Sequence, residues 1–206
     1  MATLANLRDS VARDLRDPNM VTFIAATIDD LINSGIDEVS RLRPREVVDS
    51  IPVVAGTYEY ATDCEDAFRL ELWRSGRHYQ LVPRSEDETQ SGWDIFGGLI
   101  HVPVGLIDHA SPSTDVMRVW GYAPFTQLGS DDDAVSDLDT SGEWAMRRYA
   151  RATAFQLMHA DRALFKQWQA ASQNSDVSPN QLNQMLALYQ SEWDRARNYL
   201  RRIRRV

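Results

Sequence analysis

The hydrophobic period of this chain changes twice, and that limits what it can fold into. Up to Pro44 the apolar residues recur every three to four positions, from Ile51 they alternate, and from Thr140 the helical spacing returns. A chain ordered this way cannot be all-helical or all-strand. It predicts an α+β protein with a helical bundle core, an inserted antiparallel β-rich lobe and a C-terminal helical arm. The expected boundaries are a first helical part over 1–49, the lobe over 50–128, and a second helical part over 129–206 that ends in the arm 195–206.

Within the first part, Leu4, Leu7, Val11 and Leu15 lie on one helical face that ends at Asp17-Pro18-Asn19. Thr22 is placed to cap a second helix, whose buried face is expected to be Ile24, Ile28, Leu31, Ile32, Gly35, Val39 and Leu42, with Pro44 closing it. The lobe offers strand candidates at Val53–Val54, Thr57–Tyr60, Phe68–Trp73, Tyr79–Val82, Leu99–Val104 and Met117–Tyr122. Turns at Ser75-Gly76, Ser91-Gly92, Gly97-Gly98 and Ser111-Pro112 separate them, and 83–92 reads as an exposed loop, so a small antiparallel sheet or sandwich is expected. Gly129–Asp139 holds five aspartates and reads as a linker, after which Thr140-Ser-Gly-Glu143 fits a capping box. That helix is expected to pause near His159-Ala160-Asp161 and to resume through Leu164, Phe165 and Trp168. The last helix has the clearest start: Ser178 as cap, Pro179 at the first helical position, Gln181 completing a capping box, and Val177 with Leu182 as a hydrophobic staple. From Leu182 through Leu186, Tyr189, Trp193, Ala196, Leu200 and Ile203 the apolar steps alternate between four and three, a 3.5-residue repeat that makes one narrow seam.

Charge is distributed as unevenly as period. The 206 residues carry 22 basic and 30 acidic side chains, yet the last twelve, Arg195–Val206, hold six arginines and no acid. Residues 1–194 therefore carry 16 basic against 30 acidic groups, a net of −14. A body this acidic argues against a general DNA-binding surface, which needs clustered cations to neutralise phosphates. It suits a surface that DNA passes without adhering. The arginines lie off the apolar seam and complement the negative end of the helix dipole. No apolar run approaches the roughly 20 residues that span a bilayer, the N-terminus lacks a signal-peptide pattern, and the single Cys64 allows no intrachain disulfide. A soluble protein made in a reducing cytoplasm is expected.

Few residues suggest chemistry. The aspartates 131–133, 137 and 139 lack the ordered spacing, glycine turn and closing glutamate of a calcium loop, and read as a solvated loop with a helix cap. The four histidines include no pair at the spacing of a local metal site. G-x-S-x-G, H-E-x-x-H and P-loop patterns are absent from the sequence, and Gly97-Gly98 precedes a strand rather than a helix, a poor phosphate cradle. No enzyme, cofactor or metal is expected. The aromatics Trp144, Tyr149, Trp168, Tyr189 and Trp193 read mostly as core, and any exposed fraction would fit a subunit interface.

Four stretches in order carry a resemblance. They are the helix end Ile36-Asp-Glu-Val-Ser-Arg-Leu-Arg-Pro44, then Val53-Val-Ala-Gly-Thr-Tyr-Glu-Tyr60, then Val116-Met-Arg-Val-Trp-Gly-Tyr122 leading to the aspartate loop, and the helix opening at Glu143-Trp144 before an alanine-rich run. Together they resemble the head–tail adaptor (neck or connector) proteins of tailed bacteriophages over nearly the whole length. One departure is Gln173–Asn180, which lengthens the connection before the last helix. The resemblance implies a structural virion protein, assembled in the host cytoplasm, that forms a homo-oligomeric ring, usually twelvefold in that family. The ring would join the portal to a downstream tail or neck protein and line the DNA exit channel without binding DNA specifically, and no membrane is involved. It also implies that the C-terminal arm docks on the portal, here through Arg195, Arg197, Tyr199, Leu200, Arg201, Arg202, Ile203, Arg204, Arg205 and Val206. Other readings of the same tail remain: a solvated helix end, a nucleic-acid-binding segment, or the contact element of a free-standing interaction module.

Overall fold

The computed structural model describes residues 2–83, 92–103, 107, 115–134, 138–171 and 176–203. Expectations placed on 84–91, on the Ser111-Pro112 turn, and on Val104, Asp137, Arg204, Arg205 and Val206 lie outside the described residues. The described chain is α+β, with five helices and antiparallel sheets. It divides into two compact units, a helical one from 1–44 and 125–206 and a strand unit over 45–124.

In the helical unit, α1 spans Leu4–Asp14 and buries Leu4, Leu7, Val11 and Ala12, with the Thr3 hydroxyl accepting the Asn6 N–H at its start. α2 spans Ala25–Leu42 and buries Ile28, Leu31, Ile32, Gly35, Ile36, Val39 and Leu42. Its beginning differs from expectation. Thr22 is not the cap, and Ile24 precedes the helix with 60% of its surface exposed. The turn is organised instead by Asp17, a buried carboxylate that accepts the N–H groups of Val21, Thr22 and Phe23 at 3.0, 2.8 and 2.9 Å. Three donors on one carboxylate satisfy backbone that no local threonine reaches, and the helix start lies two residues later than expected.

α3 spans Thr140–Ala160, and its cap is Asp139, one residue before the expected Thr140. The helix pauses at Asp161, whose carboxylate accepts the Ala163 N–H at 2.8 Å, and α4 continues over Arg162–Ala171. Trp168 fills the centre of the unit, fully buried, with its indole N–H donating to the Leu15 carbonyl at 2.8 Å. α5 spans Pro179–Ile203. Its capping box is reciprocal: Ser178 N–H donates to Gln181 Oε1 at 2.7 Å, and Gln181 N–H donates to Ser178 Oγ at 3.3 Å. Among the described residues no helix is long and apolar enough to cross a membrane.

In the strand unit, a four-stranded antiparallel sheet runs in the order β1(Arg45–Pro52), β7(Val116–Ala123), β3(Asp66–Arg74), β4(Arg77–Leu81). A three-stranded sheet runs β2(Glu59–Ala61), β6(Leu99–His101), β5(Asp94–Phe96). Leu70, Leu72, Met117 and Val119 from the first sheet share one buried cluster with Tyr60 and Ile100 from the second. Cys64 is buried in that cluster, and burial pushes its thiol pKa up. Strand pairing starts six residues before Ile51. The whole of β1 is an edge strand that alternates half-buried and exposed residues, and Arg45-Glu46 and Asp49-Ser50 dilute its period. β5, at three residues, is too short for a period to register.

Gly121 sits where two chain segments meet: a methyl group there would lie 2.8 Å from the Asp66 carbonyl and 2.8 Å from Cys64 Cβ. Backbone on one side and a buried side chain on the other leave no room to yield. Gly121→Ala is therefore expected to lower unfolding free energy by about 2 kcal/mol, against the slight gain that alanine brings in an ordinary strand. Urea denaturation followed by tryptophan fluorescence measures it, and a stabilised variant would contradict this packing.

Candidate functional site

The seam of α5 faces its own unit. Leu182, Tyr189, Ala196 and Leu200 are buried, and Leu186 and Trp193 pack partly buried against the same core. The principal partner is α3, which runs antiparallel to it: Tyr149 meets Trp193 edge-on with ring centroids 5.2 Å apart, and Phe155 meets Tyr189 at 4.6 Å. Glu192 ties the two helices together, accepting from Arg148 at 2.6 Å and from Arg151, whose guanidinium also lies 4.0 Å over the Tyr189 ring. Helix and ion pair are mutually supporting, because Arg151 is largely buried and would be costly to leave without its carboxylate.

This placement divides the expected docking residues. Leu200 has no exposed surface and belongs to the protein's own core, so it cannot insert into a partner while α5 stays packed. The Ile203 side chain lies outside the described residues. Arg195, Arg201 and Arg202 are exposed, and Arg197 is half-buried. None of these four makes an ion pair or hydrogen bond among the described residues. Tyr199, 51% exposed, completes the outward stripe Arg195–Tyr199–Arg202, at spacings of four and three. Of the aromatics read as a possible subunit interface, Trp168 and Tyr189 are core, Tyr149 and Trp193 are half-buried between α3 and α5, and Trp144 is 40% exposed with Arg148 5.6 Å over its ring. Trp144 lies at the start of the second turn of α3, and the antiparallel packing carries that end of α3 toward the arginine end of α5.

The aspartate-rich segment is not a free linker. Asp133 O accepts the Leu4 N–H at 2.8 Å, Asp131 O accepts the Ala5 N–H at 3.2 Å, and Thr3 bridges to Ala134. Arg8 donates to both carboxylate oxygens of Asp29 at 2.7 and 2.8 Å and to Asp131 at 2.7 Å, which raises its pKa further. The Asp133 carboxylate accepts from the Ser130 hydroxyl and from the Gly129 and Ser130 N–H groups, and these bonds lower its pKa. Asp131 and Asp133 thus bond to the chain itself while remaining exposed. Among the described residues no group of three or more His, Cys, Asp or Glu side chains gathers into a possible metal site.

The outline is a helical unit with an inserted strand unit and an arginine-rich helix end whose Arg195, Arg197, Arg201 and Arg202 pair with none of the described residues. The family model for the SU10 adaptor protein matches residues 2–205, and the chain belongs to that bacteriophage head–tail adaptor family. It is accordingly a structural phage protein, a virion component that interacts with other head or tail proteins. No curated protein matches the chain.

Asp139 holds the start of α3 to the end of α2. Its carboxylate accepts from Gly142 N–H at 2.8 Å, from the Ser141 hydroxyl at 2.9 Å and from Arg43 at 2.5 Å. Partial burial pushes its pKa up, but Arg43 and the two local donors outweigh burial and the pKa is lowered. A lowered folded pKa means stability that is present above the ordinary carboxylate value, near pH 4, and lost as pH falls through the folded value. Asp139→Ala is expected to cost about 1–2 kcal/mol at pH 7, with the difference from wild type shrinking below about pH 4. Thermal melts across pH 2–7 check it, and a pH-independent difference would contradict the assignment.

Proposed function

We propose that the protein forms a closed ring that joins the portal to the tail and surrounds the path of exiting DNA, and that the arginine end of α5 docks on the portal. The observation that carries this reading is the set of cations left without partners among the described residues. Arg195, Arg197, Arg201 and Arg202 sit on the last turns of a helix otherwise committed to its own core, in a chain whose residues 1–194 sum to −14. A guanidinium is a planar fork that pairs well with carboxylates across an interface. Because the seam holds α5 in place, the arginines are presented without an ordering step, which favours affinity. Trp144 and Tyr199 add the aromatic surface that interfaces favour. A head-to-tail contact repeated about an axis closes a ring when its rotation permits. The acidic excess of the body supports a channel wall to which DNA does not adhere.

The expected outcome is selective loss of portal binding. The triple variant Arg195→Ala, Arg201→Ala, Arg202→Ala should weaken binding of the full chain to purified portal about tenfold at physiological salt while its melting temperature stays within a few degrees of wild type. Leu200→Ala should do the reverse, lowering stability by about 2–5 kcal/mol as a buried leucine truncation does. Surface plasmon resonance and thermal melts separate the two. Equal portal affinity for wild type and the arginine triple variant would sink the docking assignment, and tight duplex DNA binding lost in that variant would favour a nucleic-acid role for the tail.

A further inference from the structure

The outward face of the four-stranded sheet carries residue types that a solvated face does not need. Register places its side chains in rows across the strands. Glu46, Tyr122 and Asp66 form the first row, and Val48, Trp120 and Arg69 the next. Ser50, Arg118, Glu71 and Gln80 follow, then Val116, Trp73 and His78. The Arg69 guanidinium lies 4.7 Å over Trp120, that of Arg118 lies 4.0 Å over Trp73, and His78 stacks on the other side of the strand pair at 5.2 Å from Trp73. Glu71 is buried on this face, accepting from Arg69 and from the Trp73 indole at 3.0 Å, so Arg69 is neutralised within the sheet. Arg118 makes no ion pair or hydrogen bond among the described residues, and stacking on the indole holds its plane. Val48, in the Trp120 row, and Phe68, packed on Tyr122, are 57% and 51% exposed and supply apolar area on the same sheet.

The first row has the opposite sign. Glu46 and Asp66 flank Tyr122, with Glu65 next to Asp66; all three acids are exposed, and none makes an ion pair among the described residues. Four residues of strand separate Tyr122 from Arg118, about 13 Å along the sheet. The face is therefore dipolar, acidic at one end and guanidinium–indole at the other, and neither end can reach the other within one chain.

From this juxtaposition we propose that the outward face of the four-stranded sheet docks a second copy of this chain, the Glu46–Asp66 row of one copy set against Arg118 and its neighbouring indoles on the next. The contact is heterologous, using different ends of one surface on the two partners, and such contacts propagate or close into rings. Arginine and tryptophan are the residue types that energetic interface patches favour. The inference rests on the ring reading and adds the surface that builds it.

Charge reversal tests it on the full chain, by mass photometry of the protein alone and with purified portal. Glu46→Arg with Asp66→Arg, and separately Arg118→Glu, should each raise the concentration of half-assembly at least about tenfold. One chain carrying all three changes should recover assembly, since every contact again pairs opposite charges. Circular dichroism melts monitor folding, and Arg118→Gln, which keeps length and polarity, serves if Arg118→Glu does not fold. Rings unaffected by either reversal would overturn this surface and leave the ring reading standing. A wild-type chain that never self-associates, alone or on the portal, would overturn both.

Discussion

The antiparallel pairing of β1 with β7 is the constraint on which the two-unit plan depends. It runs from Arg45↔Ala123 to Pro52↔Val116, so the first and last strands of the insertion are neighbours along their full length. Where the chain leaves the helical unit after Pro44 and rejoins it at Phe125, it is therefore at one place in space. An eighty-residue excursion then adds little loop-closure cost to the helical unit, because the sheet itself closes the loop. Within the helical unit the returning chain is held to α2 by polar bonds: Phe125 N–H donates to Ser40 Oγ, and the Asn33 side-chain amide pairs with both backbone groups of Leu128. Gly35, which a methyl group would push to 2.9 Å from Met146 Cγ and 3.1 Å from its carbonyl, lets α3 lie close on α2.

What could be read from the sequence follows from how local each signal is. The α5 capping box and the Gly35 face are short-range patterns, and they are realised with the partners that the spacing suggests. At the α2 start the local pattern points to Thr22, a good cap by type, while Asp17, five residues upstream, takes the backbone donors instead. β1 was obscured for a different reason. An edge strand paired on one side needs only a half-buried alternating face, and Arg45-Glu46 next to Pro44 looks like a helix tail running into a loop. The candidate surface was legible only in part. Composition singled out the arginine tail, but the seam could face either a partner or the chain's own core, and only packing against α3 decides that Leu200 belongs inside. The sheet face, with its cation–indole rows, required the β3–β7 register and could not be found from spacing along one strand.

Sign reversal in the charge pattern also resolves into two separate arrangements. The aspartate-rich segment, read as a solvated linker, is anchored by Arg8 and by the N–H groups of Leu4 and Ala5. Its charge serves the fold, joining the N-terminus to the strand-to-helix return and capping α3 through Asp139. The arginines at the other end find no such partners among the described residues. Acids and bases that might have paired with one another inside one chain are thus kept apart, and the uncompensated sets are the ones available to neighbours.

The burial of the α5 seam changes how an arginine arm can work. A segment that folds only on docking gives up part of its interaction energy to ordering and wraps its partner in exchange. Here the helix is ordered through Ile203 by Leu182, Tyr189, Ala196 and Leu200, and it is clamped by Glu192 between Arg148 and Arg151. The arginines then project from a rigid rod at fixed spacing, so recognition depends on whether carboxylates on the partner fall on the same stripe as Arg195, Tyr199 and Arg202. Rigidity gives register as well as affinity. A mismatched partner would be rejected by unpaired charges rather than accommodated by a flexible tail.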